Sequence, residues 1–274
     1  MSLAIQRRVI HKLDMSATCS LMVFTDLDGT LIDHTTYEWA PALPALNSLR
    51  DMSAGLVLAS SKTAAEIGSL RQKIGAEDWP AIVENGAGLL PPGERNVGEA
   101  AQYASVRSAL DSLPRDLRRL FCGFGDVTPA QVAQMTGLAL EDAILAQERG
   151  FSEPGQWSGT SSQKDAFLAA LAEHGVTAQQ GGRFLTLSFG RNKVDQMRLI
   201  TGTYRPRHTI ALGDAPNDIA MLENADIGIV IANPAHPPLP KLKTEAAGRI
   251  IRTTHAGPVG WNLAIRDALD RLEL

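Results

Sequence analysis

The feature that most constrains the fold is a short apolar run that ends in two carboxylates separated by one residue. Residues 21–25, Leu-Met-Val-Phe-Thr, are rich in β-forming side chains and predict a buried strand. Asp26 and Asp28 follow directly, and because side chains alternate along an extended chain, both carboxylates can lean into the same space beyond the strand. Gly29 and Thr30 then turn the chain away. The run predicts a strand that places paired acids at its carboxyl end.

Such a pair of acids suits nucleophilic and acid–base chemistry at phosphorus. The first carboxylate can attack phosphorus and hold it as an acyl phosphate, while the second exchanges a proton with the leaving oxygen and later with water. Two acids this close repel each other, so a divalent cation between them is expected. The alternative is an acidic turn or a calcium loop, but a helix-loop-helix calcium loop needs glycine sixth, whereas Gly29 is fourth from Asp26.

Composition fits a soluble α/β protein and limits its partners. The chain has 274 residues, enough for one large or two moderate domains, with 44% hydrophobic and 5% aromatic residues. A formal net charge of -4 argues against a nucleic-acid partner bound by phosphate neutralisation. Any anionic substrate must therefore be held by locally placed cations.

Cysteine usage and the amino-terminal residues indicate a cytoplasmic protein. Cys19 and Cys122 have no paired spacing, so neither a disulfide framework nor a zinc site is expected. Residues 1–20 contain no apolar core of signal-peptide length and are predicted to be a poorly ordered leader. No apolar run is long enough to span a bilayer, so no membrane partner is expected.

Strands and helices alternate through residues 21–90, which predicts a parallel sheet with its ligand crevice at the carboxyl ends of the strands. Strand 55–59 is followed by Ser60 and by a helix from Thr63, where Glu66 completes a capping box. A helix start beside a strand end can bind an anion, although an ordinary cap explains the same residues equally well. The other elements predicted in this part are a helix over 43–50 and a strand over 81–83.

Residues 91–189 have a different, α+β pattern, which we interpret as an inserted lid. The insertion begins after the turn signal Pro91-Pro92-Gly93. Its second half contains a hairpin candidate over 176–189, with two extended runs around Gly181-Gly182. The other elements predicted here are helices over 98–113, 128–135 and 138–149 and from Ser161, and a strand over 119–124.

The α/β pattern resumes after residue 190. Strand 208–212 ends in Gly213-Asp214-Ala215-Pro216-Asn217-Asp218, which brings two more carboxylates to the end of a strand. An acidic loop that caps the next helix is the alternative, and capping does not exclude metal binding. The other elements predicted here are helices over 193–200 and 219–224, strands over 227–231 and 249–252, and a terminal helix from Trp261.

Four motifs thus follow one another along the chain: Asp26-Leu27-Asp28-Gly29-Thr30, Ser60, Lys193, and Gly213 to Asp218. In order and context they resemble the motifs of the haloacid-dehalogenase-like phosphatases, in the members (class IIB) that carry a larger α/β cap between the second and third motifs. The resemblance covers nearly the whole chain after residue 20. It implies a Rossmann-like parallel-sheet core over 21–90 and 190–274 with an inserted α+β cap over 91–189.

The resemblance also implies roles for single residues in phosphoryl transfer. Asp26 would be the nucleophile and Asp28 the general acid and base. Ser60 and Gly29 would bind the phosphate, and Lys193 would neutralise the attacking carboxylate and the phosphate. The alternative for Lys193 is a solvated helix position, where most lysines lie.

A magnesium site is implied by the same resemblance. Asp26, the backbone carbonyl of Asp28, and Asp214 would bind Mg²⁺ directly. Asp218 would contact the ion through a water or would support the residues that bind it. Mg²⁺ prefers oxygen ligands and keeps several waters, and phosphoryl transfer depends mostly on positioning and charge stabilisation, so the implied cofactor agrees with the chemistry.

A narrower resemblance is to the mannosyl-3-phosphoglycerate phosphatases. It is carried by Ser60-Ser61-Lys62-Thr63, where many relatives have Thr-Gly-Arg, and by three further segments: Val83 to Ala87, Arg149 to Pro154, and Gly257 to Asn262. Turn chemistry or a strand end at Glu153-Pro154 could also explain these segments. The resemblance implies release of phosphate from mannosyl-3-phosphoglycerate, a small-molecule phosphorylated substrate, to give mannosylglycerate.

Four residues are candidates to contact that substrate. Asn85 and Asn217 lie in the motif loops, and Arg149 and Arg183 lie in the predicted cap. A guanidinium matches a carboxylate bidentately, so either arginine could bind the carboxylate of a phosphoglycerate moiety, although exposed arginines are usually only solvated.

Three other functions are compatible with the same residues. A broader sugar-phosphate phosphatase would act on simple hexose phosphates. A phosphotransferase or mutase would pass the aspartyl phosphate to another hydroxyl. A non-catalytic protein would use Asp26 as a regulatory phosphoacceptor, although Asp28 and a complete inserted cap argue against it. The oligomeric state is not predicted.

Overall fold

The computed structural model of the protein describes residues 19–98, 100–235 and 237–274. The predicted leader, residues 1–20, lies outside the described residues except for Cys19 and Ser20. Within the described ranges, no helix is both long enough and apolar enough to cross a membrane.

Strands and helices are named here in chain order. The strands are β1 Leu21–Thr25, β2 Gly55–Leu58, β3 Ala81–Val83, β4 Gly88–Leu90, β5 Phe121–Gly123, β6 Glu153–Trp157, β7 Thr177–Gly181, β8 Phe184–Ser188, β9 His208–Gly213, β10 Ile227–Ala232 and β11 Ile250–Ala256. The helices are α1 Leu43–Asp51, α2 Ala64–Lys73, α3 Ala101–Asp111, α4 Arg115–Arg118, α5 Pro129–Thr136, α6 Leu140–Gln147, α7 Ser161–Glu173, α8 Lys193–Tyr204, α9 Ile219–Asn224 and α10 Val259–Arg271.

The core is a five-stranded parallel sheet in the order β11-β10-β9-β1-β2. Strand β1 lies between β2 and β9, with Phe24 opposite Val57 on one side and Ala211 on the other. All five residues of β1 are buried, as expected for a parallel strand that is covered on both faces. Strands β3 and β4 form an antiparallel pair that continues beyond β2 through a bridge between Ala59 and Ile82.

Helices cover both faces of this sheet, and β1 contributes alternate side chains to the two apolar layers. Leu21 and Val23 pack in one layer with side chains of α1, α2 and α10, which include the fully buried Trp261. Met22 and Phe24 pack in the other layer with side chains of α8 and α9. Each such buried side chain contributes about 1.5–3 kcal/mol, so the paired layers fix β1 at the centre of the fold.

The inserted segment forms a second, antiparallel sheet in the order β5-β6-β8-β7. It has its own apolar cluster with helices α3 and α7, in which the rings of Phe121 and Phe167 stack with centroids 5.6 Å apart. The predicted fold class, a parallel α/β core with an inserted α+β cap, is therefore confirmed. The exact domain boundaries at residues 91 and 189 stay a prediction.

The hairpin predicted over 176–189 is present as β7 and β8. The interpretation of Glu153-Pro154 as the end of a strand is wrong, because these residues begin β6. Proline and glycine rarely occupy a strand interior, so the local sequence of β6 gives little strand signal. The strand forms because β5 and β8 pair with it on its two sides.

Candidate active site

The site lies where β1 and β9, neighbouring parallel strands, both end. Asp26 follows β1 and Asp214 follows β9, while Asp218 lies four residues further on, immediately before α9. One carboxylate oxygen from each residue lies within 4.8 Å of the other two. The parallel pairing of the two strands thus gathers acids that are distant along the chain, as the carboxyl-end rule predicts.

Lys193 places a positive charge between two of these acids. It is the first residue of α8, only 1% exposed, and its Nζ donates to Asp26 Oδ1 at 2.5 Å and to Asp218 Oδ1 at 2.7 Å. The Asn192 side chain caps the same helix by accepting from Asp195 N, which fixes the helix start. Three carboxylates and one ammonium leave two negative charges in the cluster, which matches a divalent cation.

The raised pKa values of two acids in the cluster also favour a cation site. Burial raises the pKa of Asp26 well above its usual value, and although Lys193 opposes this shift, Asp218 adds to it. Burial also raises the pKa of Asp214. A cation held between these carboxylates would favour their ionised forms.

Asp214 and Asp218 are held in different ways. Asp214 accepts from Thr30 Oγ1 and from Asn233 Nδ2, each at 2.7 Å, which orients its two oxygens. Asp218 Oδ2 accepts the backbone N–H groups of Asp214 and Ala215, while its Oδ1 accepts from Lys193. Asp218 is fully buried and holds Lys193 and the loop backbone, so it suits a supporting position, while Asp26 and Asp214, which are 8% and 6% exposed, suit direct ligation.

Asp28 lies beside the cluster and has one occupied and one unpaired oxygen. Its Oδ2 is 3.2 Å from Lys62 Nζ. Its Oδ1 is buried and has no hydrogen-bond partner among the described residues. A carboxylate with one fixed oxygen and one unpaired oxygen is suited to exchange a proton with a bound molecule.

The predicted phosphate contacts of Ser60 and Gly29 stay predictions. Ser60 is 1% exposed, and its Oγ accepts from Lys62 N at 3.2 Å. Gly29 has a φ of +82°, and its N–H already donates to the carbonyl oxygen of Ile32. A Cβ at this position would lie 3.1 Å from Asp214 Oδ2, so the absence of a side chain lets the turn approach the acidic cluster.

A cavity of about 910 Å³ lies beside the acids, between the core sheet and the inserted sheet. Two of the predicted substrate residues, Asn85 and Asn217, line it and are joined by a hydrogen bond of 2.9 Å from Asn217 Nδ2 to Asn85 Oδ1. Arg149 also lines the cavity. Arg183 is not among the described residues that line it, and its Nη2 donates to the Thr136 carbonyl oxygen at 2.8 Å.

Arg149 is engaged by protein groups, which the sequence did not predict. Its Nε lies 3.3 Å from Glu84 Oε2, and its Nη2 donates to Ser152 Oγ. Glu84 follows β3 in the core and accepts the backbone N–H groups of Gly150, Phe151 and Ser152. We call Glu84 together with residues 149–152 the core–cap joint, because it links the core to the start of β6.

Known proteins resemble this chain in sequence and in structure. A sequence model of the haloacid dehalogenase-like hydrolases matches residues 165–259, which is less than half of the chain. A haloalkanoate-superfamily phosphatase from Bacteroides thetaiotaomicron has a TM-score of 0.61 at 18% identity, covering 91% of this chain and 95% of that chain. A subclass IIB sugar phosphatase of that superfamily has a TM-score of 0.58 at 16% identity, covering 92% and 98%. The chain has the haloacid-dehalogenase-like fold.

A further solved structure that is similar to this chain contains a sugar and a phosphate. It is the sucrose-phosphatase from Synechocystis sp., in complex with sucrose and phosphate. It has a TM-score of 0.58 at 14% identity and covers 93% of this chain and 99% of that chain.

Within this haloacid-dehalogenase-like fold, sequence reasoning missed three residues of the site. Asn233 follows β10 and holds Asp214, and the carboxyl-end rule could have found it. Lys62 lies in the segment Ser60-Ser61-Lys62-Thr63, but the sequence alone indicates no role for it. Glu84 gave no local signal, because its partners lie in a distant segment.

Proposed function

We propose that the protein is a Mg²⁺-dependent phosphomonoesterase that works through an aspartyl-phosphate intermediate. The observation that supports this function best is the position of Asp26, at a strand end, bonded to Lys193 and close to Asp214. A carboxylate beside an ammonium and a cation site can approach an anionic phosphate without net repulsion. Mg²⁺, when held by Asp26 and Asp214, would supply charge stabilisation for the phosphoryl oxygens.

In the first half-reaction, Asp26 Oδ2 attacks phosphorus while Lys193 holds Oδ1. The new bond joins the carboxylate oxygen to phosphorus, and the bond between phosphorus and the ester oxygen breaks. Asp28 donates a proton to the departing oxygen, which leaves as an alcohol.

In the second half-reaction, a water attacks the aspartyl phosphate. Asp28, now deprotonated, accepts a proton from that water, and the bond between phosphorus and Asp26 breaks to release inorganic phosphate. The residues around the cavity would admit this water while excluding bulk solvent.

The substrate that we propose is mannosyl-3-phosphoglycerate, which would give mannosylglycerate and phosphate. A cavity of about 910 Å³ has room for a glycosyl group, and amide side chains of Asn85, Gln179 and Gln180 line it. The similarity to a sugar phosphatase and to a sucrose-phosphatase supports a sugar-bearing ester. A broader sugar-phosphate phosphatase is the alternative.

The test compares the wild type with Asp26→Asn. The wild type with Mg²⁺ is expected to hydrolyse phosphate esters, and mass spectrometry of acid-quenched enzyme should find phosphate on the peptide that contains Asp26. The variant should lose about 10³-fold or more in kcat, because its amide is a poor nucleophile, and should carry no phosphate. Circular dichroism controls for folding.

An Asp26→Asn variant as fast as the wild type would overturn the proposal. A panel of phosphorylated glycosyl glycerates and hexose phosphates then ranks the substrates by kcat/KM. A preference for simple hexose phosphates would leave the phosphatase assignment in place and replace the proposed substrate. Added alcohol acceptors distinguish phosphotransfer from hydrolysis, because transfer would give new phosphate esters.

A further inference from the structure

Two cationic side chains line the cavity among its described residues, Lys62 and Arg149. Lys193 is enclosed by Asp26 and Asp218 and is not part of this lining. The cavity wall also contains the carboxylates of Glu66 and Asp214, so these two cations are the groups of the lining that favour a further anion on a substrate most strongly.

Arg149 is poorly available for this task. Its guanidinium is paired with Glu84 and donates to both the carbonyl and the hydroxyl oxygen of Ser152. The residue is 8% exposed. An incoming carboxylate would have to compete with a buried Glu84 for the same positive charge.

Lys62 is placed to bind an anion next to the reacting bond. Its side chain is 19% exposed, its Nζ lies 3.2 Å from Asp28 Oδ2, and the same atom is 5.4 Å from the centroid of the Tyr37 ring. The backbone is fixed because Lys62 N donates to Ser60 Oγ and Lys62 O accepts from Glu84 N. An ammonium group has three N–H donors, so the contact with Asp28 leaves donors for a ligand in the cavity.

We propose that Lys62 determines specificity by binding a carboxylate that the leaving group carries within a few bonds of its ester oxygen. The inference rests on the proposed function, in which Asp28 protonates that oxygen. Since Lys62 Nζ contacts Asp28, a group bound by Lys62 must lie close to the ester oxygen rather than at the far end of a large substrate. Phosphoglycerate esters have a carboxylate at such a position.

The experiment measures the ratio of kcat/KM for 3-phosphoglycerate to that for glycerol 3-phosphate, two three-carbon esters that differ in the carboxylate. Lys62→Met should lower this ratio by roughly tenfold or more, because a charge-assisted hydrogen bond is lost, while Lys62→Arg should keep most of it. Any effect of Lys62 on Asp28 acts on both esters and cancels in the ratio. The matched control is Lys73→Met, an exposed lysine at the end of α2.

A third ester and a binding measurement complete the test. Gluconate 6-phosphate carries its carboxylate far from the ester oxygen, so its kcat/KM should respond to Lys62→Met no more than the kcat/KM for glycerol 3-phosphate does. Calorimetric binding of 3-phosphoglycerate and glycerol 3-phosphate to Asp26→Asn, with and without Lys62→Met, gives the same comparison without turnover.

The outcomes separate the two proposals. If the wild type hydrolyses esters but neither the rate ratio nor the binding ratio changes in Lys62→Met, the role of Lys62 is overturned and the proposed function stands. If the wild type hydrolyses no ester while Lys62→Met weakens binding of 3-phosphoglycerate more than binding of glycerol 3-phosphate, the proposed function fails and the carboxylate site stands.

Discussion

Asp218 supports the site through contacts that a change of one atom would disrupt. It is fully buried, and its two oxygens hold the Lys193 ammonium and two backbone N–H groups. All of these partners are donors, so only a carboxylate satisfies them all. The residue links the charge of Lys193 to the geometry of the loop that begins at Asp214.

Asp218→Asn should therefore destabilise the protein. The amide group would point a donor at Lys193 or at the backbone N–H groups, and breaking a buried ion pair costs about 3–5 kcal/mol. Denaturant unfolding followed by circular dichroism measures this loss. The control is Asp267→Asn, which removes an exposed pair with Arg271 that contributes about 0.3–0.5 kcal/mol. A loss no larger than that of the control would show that the contacts of Asp218 are not stabilising.

Single residues were predictable where a motif gave them a fixed place. Asp26, Lys193, Asp214 and Asp218 were selected from their order along the chain, and the structure brings their side chains together. Arg149 was assigned to the substrate because nothing local shows that Glu84 lies beside it. A pairing between distant loops depends on the packing of the whole chain, which one sequence does not display.

At the scale of elements, the core–cap joint is one of the contacts that hold the inserted segment on the core, together with the hydrogen bond from Thr63 Oγ1 to the Leu145 carbonyl oxygen. Glu84 and Asn85 both have a left-handed backbone, with φ values of 51° and 58°, which is uncommon for residues other than glycine. This turn directs the Glu84 carboxylate toward residues 150–152, and it directs Asn85 into the cavity wall. The same short turn thus fixes the joint and part of the cavity.

Glu84→Gln should loosen this joint. The amide nitrogen would face backbone N–H donors, and Arg149 would lose its charged partner, so we expect a loss of about 2–4 kcal/mol in the free energy of unfolding. Amide hydrogen exchange should also be faster at Gly150 and Ser152, whose N–H groups donate to Glu84. Glu141→Gln, at an exposed position in α6, is the control. Unchanged protection at both amides would contradict the role given to Glu84.

The elements differ in how well they could be predicted, and the reason is the source of their stability. The sequence predicts strand β1 because each of its residues is apolar or β-branched, and the structure shows all five of them buried. Strand β6 contains Pro154 and Gly155 and was missed, since its stability comes from pairing with β5 and β8. Local preference identifies the first kind of strand, and only the assembled sheet identifies the second.

At the scale of the whole molecule, a cation bound at the acidic cluster would couple its binding to folding. The cluster combines Asp26 from the first core segment of the sequence with Asp214 and Asp218 from the second. These residues come together only in the folded chain, so a cation bound there would stabilise the folded state and not the unfolded state. Any ligand that binds only the folded state raises the unfolding temperature.

Saturating MgCl₂ should therefore raise the unfolding temperature, and EDTA should reverse the change. At about 100 times the dissociation constant, the gain is about 2.7 kcal/mol, or roughly 5–10 °C for a chain of this size. Differential scanning calorimetry measures it. Asp214→Asn should remove most of the shift, and an equal shift in that variant would place the bound cation elsewhere.

The alternation of strands and helices predicted the architecture because a parallel sheet requires crossover helices. The lid was recognised from its change of pattern. The course of β6 and the joint at Glu84 were not, because they arise only when the two sheets have formed.

The position of β1 in the sheet has a consequence for how the chain is made. One edge of β1 can pair with β2 soon after synthesis, but the other edge pairs with β9. Leu21 therefore has no strand partner on that edge until His208 has been synthesised. At typical translation speeds that interval is roughly 10–40 s, during which an apolar strand edge stays open on the ribosome. A nascent chain that stalls within the lid would therefore expose an edge prone to aggregation, immediately beside Asp26.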